Sequence, residues 1–120
     1  MPNFQQRLKS LDIEPEWYLR IVRELAEEHG YSPYHLSFSD RIDKKLMLRH
    51  KGRTIHFGAS PYQDYILLNF QAQAGLISER QCEKVRERYL KRATRIKGSW
   101  TEDPFSPNYL SMRILWAYEL

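Results

Sequence analysis

Along the chain the apolar positions change period several times, and each change predicts an element. Tyr18, Ile21, Val22, Leu25 and Ala26 recur at helical spacing after Glu14-Pro15, where proline suits a first helical turn, and His29-Gly30 supplies a stop. A helix is therefore expected over 15–29. From 31 to 43 neither period holds, and Pro33, Ser37, Ser39 and Asp40 punctuate what reads as a connecting segment. Period two follows at 45–50 and 53–57, around the two-residue loop Lys51-Gly52, whose glycine accepts positive φ. Such a hairpin sets Leu48 opposite Ile55 and Leu46 opposite Phe57 on one face, with Met47 opposite His56 on the other.

Residues 59–64, with Ser60-Pro61, predict a turn. The apolar run Tyr65-Ile66-Leu67-Leu68-Asn69-Phe70 predicts a third strand passing into a short helix near Gln71. Ser78-Glu79-Arg80-Gln81 is a capping box, and Lys97-Gly98 a stop, giving a helix over 79–97. Ser106-Pro107 opens a last helix over about 107–117. The expected fold is α+β: an N-terminal helix, a central β-hairpin with a candidate third strand, a long basic amphipathic helix and a short C-terminal helix. A chain of 120 residues buries about two-thirds of its unfolded surface, which suits one domain over 1–120.

Charge sharpens this picture. Nineteen Lys and Arg against fifteen Asp and Glu give only +4, but the charges are sorted along the chain. Residues 12–28 carry six acids and two arginines, residues 40–53 six bases and two acids, and residues 79–98 eight bases and three acids. On a helical wheel Cys82, Val85, Tyr89, Ala93 and Ile96 share an apolar sector of about 80°. Arg80, Lys84, Arg88, Lys91 and Arg95 share another, centred roughly 140° away, while Glu79, Glu83 and Glu87 lie together beside it. A regular cationic ridge opposite the core face suits contact with nucleic-acid phosphates, and Arg49, Lys51 and Arg53 of the hairpin can extend it. The ordinary alternative is a solvated face that keeps the protein soluble.

Composition excludes other classes. Hydrophobic residues at 42% and charged residues at 28% describe an ordered globular chain, and no apolar run reaches the roughly 18 residues of a membrane span. The first residues lack the apolar stretch of a secretory signal and the lone Cys82 has no intramolecular partner, so an intracellular rather than secreted location is expected, without a membrane partner.

Catalytic signals are sparse. His56 and Asp64 can act as a general base and its orienting carboxylate, or as two metal ligands, but no third partner is evident in the sequence. There is no phosphate-binding glycine loop or paired-cysteine site; Cys82 falls on the apolar sector, and His29, His35 and His50 show no ligand spacing. No cofactor and no metal are expected, and an enzyme is the lesser reading. Arg86 and Arg92 flank Tyr89 at the core margin, where arginines orient neighbouring elements, with Asp64 as a carboxylate partner. Alternatively His56, Tyr62, Asp64, Arg86 and Arg92 line a pocket for an anionic group. Tyr62 and Trp100 are candidates for stacking on bases or for the core.

His56-Phe57-Gly58-Ala59, then Tyr62, Asp64 and Tyr65, then Glu87-Arg88-Tyr89 with Arg92, then Trp100-Thr101, Ser111 and Leu115-Trp116 stand in a distinctive order and spacing. In these residues the chain resembles a family of small uncharacterised proteins encoded by large DNA viruses of eukaryotes. The likeness runs from about residue 45 to 116, with Pro61 standing where glycine is expected before the tyrosine. It implies a viral origin, with the infected host cell or the virion as location, and implies no chemistry. Three functions follow as expectations. The first is a small basic accessory protein binding nucleic acid through Arg80, Lys84, Arg88, Lys91, Arg95, Arg49, Lys51 and Arg53. The second is a virion structural or protein-interaction component whose partners are other viral proteins. The third is a small hydrolase or nuclease using His56 and Asp64.

Overall fold

The computed structural model describes residues 2–98 and 100–118. The fold is α+β and divides into two compact units, Met1–Tyr62 and Gln63–Leu120.

The first unit combines two helices with a three-stranded antiparallel sheet. Helix α1 (Phe4–Ser10) was not expected, although Asn3 and Gln6 spell out its capping box and each side chain meets the other residue's backbone N–H. Helix α2 (Pro15–Glu28) matches the apolar period, with Tyr18, Val22 and Ala26 buried and the chain turned at Gly30. The connecting segment corrects the expectation. Pro33–His35 forms a 3₁₀ turn and Leu36–Phe38 a short strand, β1, pairing with β2 (Lys44–His50), which pairs in turn with β3 (Arg53–Ala59). Three residues are too few for a period to show, so β1 exists only because β2 offers it an edge.

The hairpin has the expected register, with Leu46↔Phe57, Met47↔His56 and Leu48↔Ile55. Lys51 (φ 49°) and Gly52 (φ 77°) both take the left-handed conformation that a tight hairpin with the right-handed strand twist requires. One sheet face is apolar, since Leu36, Leu46, Leu48, Ile55 and Phe57 are buried. Phe4, Tyr18 and Phe38 join α1, α2 and β1 in an aromatic cluster, with ring centroids 5.0 Å apart for Phe4–Tyr18 and 6.5 Å for Tyr18–Phe38. The α2 side chain Arg23 donates to the Leu36 carbonyl at 3.0 Å, tying the helix to the edge strand.

In the second unit the expected third strand is instead helix α3 (Tyr65–Gln73). An unbroken apolar run fits either element; what selects the helix is Asp64, whose fully buried carboxylate accepts the Leu67 N–H at 2.9 Å as an N-cap. Helix α4 (Glu79–Ala93) starts at the expected Ser78/Gln81 capping box but ends four residues before 97. Thr94 donates its hydroxyl back to the Leu90 carbonyl at 2.7 Å, and Ile96 is half-exposed, so a further turn has no apolar face to bury. Trp100, half-buried, donates its indole N–H to the Ile96 carbonyl at 2.8 Å, which anchors the chain beyond that end.

The last helix also starts where expected, with the Ser106 hydroxyl accepting from Tyr109 N–H, but α5 (Pro107–Leu110) widens into a π-helical turn over Ser111–Leu115. The wider turn allows Met112, Ile114, Leu115 and Trp116 all to be buried. Among the described residues no helix is long and apolar enough to cross a membrane.

Candidate functional site

Three polar constellations stand out. The first is α4. Arg80, Lys84, Arg88 and Lys91 are all exposed on the helix, while Cys82 and Ala93 are buried and Val85 and Tyr89 half-buried. The wheel therefore sorts the helix as its sequence predicts, except at its C-terminal end: Arg95 is exposed but lies beyond the last helical turn, and Ile96 leaves the apolar stripe. The four helical cations extend over about 16 Å of axis. Of the neighbouring acids, Glu83 is turned towards α3, where it accepts the Tyr65 hydroxyl at 2.5 Å. That bond, reinforced by burial, raises the Tyr65 phenol above its ordinary value. Lys91 at the last turn also complements the helix dipole.

On the other side of α4, Glu79, Cys82 and Glu83 line a groove of about 320 Å³ with Tyr65, Asn69 and Gln73 of α3. Burial, with Glu83 and Glu79 nearby, pushes the Cys82 thiol up, which keeps it protonated and unreactive; it donates to Asn69 Oδ1 at 3.6 Å.

The second constellation is built around Arg86. Its Nε donates to the Trp116 carbonyl at 2.9 Å and its Nη2 to the Ala117 carbonyl at 3.0 Å, while the guanidinium carbon lies 5.0 Å from the Tyr65 ring centroid. Ala117 takes positive φ (51°) where this segment turns. Arg86 thus clamps the C-terminal segment to α4, using both donors of its fork on successive carbonyls. Beside the clamp, Tyr89 stacks on Trp116 with centroids 4.1 Å apart and planes 9° apart, and Arg92 lies over the far reach of the Tyr89 ring at 5.9 Å. Sequence reasoning placed Arg86 and Arg92 at the core margin but could not supply backbone carbonyls as partners, because those depend on where the C-terminal segment turns.

Burial pushes the Tyr89 phenol up to about 12, against a smaller opposing effect of Arg92. Folded protein therefore keeps a proton that the unfolded chain releases near pH 10. The stability this contributes is complete below that pH and is lost as pH rises towards 12, to the extent of about 2 kcal/mol. Wild type should lose stability relative to Tyr89→Phe between pH 10 and 12. Melting temperatures of the two proteins that run parallel over that window contradict the assignment.

The third constellation is built around His56. His56 Nδ1 is hydrogen-bonded to Ser39 Oγ at 2.7 Å, and its Nε2 lies 3.8 Å from Asp40 Oδ1, so the carboxylate facing this imidazole comes from the loop after β1. Ser39 Oγ also accepts the Arg41 N–H at 3.0 Å, a local turn that binds the loop to β3 through His56. Asp64 is engaged as the α3 cap, in the other unit. Of the five residues read as an anion pocket, His56 and Tyr62 belong to the first unit and Asp64, Arg86 and Arg92 to the second; Tyr62 is 71% exposed. Arg49, Lys51 and Arg53 surround the hairpin turn and are exposed. Among the described residues, no three His, Cys, Asp or Glu side chains gather as a metal-binding group. Compared with family models, with curated proteins and with solved structures, the chain has no match.

Proposed function

We propose that this chain is a small basic accessory protein that binds nucleic-acid phosphates through the exposed face of α4. The observation that carries the reading is the alignment of Arg80, Lys84, Arg88 and Lys91, all exposed, on the side of the helix away from buried Cys82 and Ala93. Glu83 supports it because its side chain is turned towards α3, where it accepts the Tyr65 hydroxyl. Cations held on a rigid helix meet phosphates without the entropy cost of ordering a loop, and their binding energy comes largely from released counterions. Such contacts position a protein on a strand and read no bases, so binding is expected to be largely independent of sequence. The likeness of residues 45–116 to viral proteins supports an origin in a large DNA virus, acting in the infected cell or the virion.

The test is binding to single- and double-stranded oligonucleotides over a salt series. Changing Lys84, Arg88 and Lys91 together to Glu should weaken binding and reduce the salt slope by up to roughly 0.9 per lost contact on duplex DNA. Thermal stability should barely change, because exposed charges are worth about 1 kcal/mol or less each. Wild-type protein that shows no salt-sensitive binding near physiological ionic strength overturns the proposal. It then favours the protein-interaction reading, in which exposed Glu16, Glu24, Glu27 and Glu28 of α2 and the bases of α4 meet complementary partner surfaces.

A further inference from the structure

We propose that the tip of the β2–β3 hairpin is a second anion site, built to hold a short run of phosphates and independent of the α4 face. An open depression of about 520 Å³ lies there, lined by His35, Arg49, His50, Lys51, Arg53 and Thr54. Every one of these side chains offers a hydrogen-bond donor, and none of them is acidic.

The register places these donors around the tip. Arg49 and Thr54 form one of the last two rungs and leave the sheet on one face, while His50 and Arg53 form the other and leave it on the opposite face, so the turn carries donors on both of its sides. Lys51 and Gly52 reverse the chain in two left-handed residues, which concentrates the charge of Arg49, Lys51 and Arg53 around a single turn. The sixth member comes from elsewhere in the chain. Strand β1 begins with Leu36 opposite Leu48, so the 3₁₀ turn before it delivers His35 alongside Arg49.

Folding gives these residues no reason to be cationic. Arg49, Lys51 and Arg53 are exposed, at the end of a hairpin whose apolar rungs are the interior ones. Three like charges on one tight turn repel, and an anion in the depression relieves that repulsion. Arg49 and Arg53 each carry a fork that can meet two oxygens of one phosphate, and their places on opposite faces of the tip suit them to different phosphates of one run. The volume exceeds a single phosphate and falls within the range of small-molecule sites, hence a run of phosphates. Such a run has two sources, free inorganic polyphosphate or a nucleic-acid strand.

The experiment maps amide shifts of the full-length protein titrated with inorganic tripolyphosphate. Saturable shifts confined to residue 35 and residues 49–54 are expected. Affinity should fall about tenfold or more in Arg49→Gln/Arg53→Gln, which loses two charge-assisted contacts. Lys51→Asn, which keeps a residue at home in positive φ, should weaken binding in the same direction without disturbing the turn. The α4 variant Lys84→Glu/Arg88→Glu/Lys91→Glu should bind tripolyphosphate as wild type does, so the two sites fail separately. A short oligonucleotide that shifts the same amides and displaces tripolyphosphate identifies a strand as the source; one that leaves them unmoved identifies free polyphosphate. Unsaturable shifts spread over all exposed Lys and Arg residues, or an Arg49→Gln/Arg53→Gln protein binding as wild type, overturn the site.

Discussion

Replacing Phe57 with alanine is expected to lower the unfolding free energy by about 3–5 kcal/mol, the usual cost of removing a buried aromatic ring. Phe57 is fully buried, sits directly opposite Leu46 in the ladder, and shares its sheet face with Leu36, Leu48 and Ile55. Its removal opens a cavity on a face where the strand backbones cannot collapse without breaking the register that also buries their neighbours. Phe57→Leu keeps most of the volume and should cost less than about half as much. Hydrogen exchange of the β2–β3 ladder amides measures the loss directly, since these bonds open with the unit they belong to. Protection unchanged in Phe57→Ala shows that this face is not the core of the first unit.

Trp116→Ala should be about as costly to the second unit, at about 3–5 kcal/mol. The indole is almost wholly buried and lies 4.1 Å from the Tyr89 ring in a near-parallel stack, which adds to the area it buries. The substitution leaves the Trp116 carbonyl in place, so the Arg86 clamp can persist after the ring is gone. Arg86→Ala makes the complementary cut, removing the donors to the Trp116 and Ala117 carbonyls and the contact with Tyr65. It should cost about 2 kcal/mol, since Arg86 is half-exposed and water can reach part of what it leaves. Denaturation of the two single variants and the double variant measures whether ring and clamp act together. A Trp116→Ala protein within about 1 kcal/mol of wild type removes the stack from the structural account.

The α+β class, the hairpin register, the α4 capping box and the exposed face of that helix were legible in the sequence, because each rests on local chemistry. Alternation decides which side a strand residue faces, Lys51-Gly52 decides the turn, and Ser78 with Gln81 decides where α4 begins. The cap of α1 was legible in the same way, in Asn3 and Gln6, and passed unread because no apolar period preceded it. The cap of α3 is local too, Asp64 accepting the Leu67 N–H three residues on, but the unbroken apolar run after it suits a strand as well as a helix and does not reveal the choice. Other features depended on tertiary structure. Leu36–Phe38 is a strand because β2 presents unpaired backbone groups beside it. The partners of Arg86 are carbonyls about thirty residues downstream in the chain, and those of His56 are Ser39 and Asp40 from the loop after β1. A side chain's partners across such distances are set by which segments pack together, and periodicity within one segment carries no information about that.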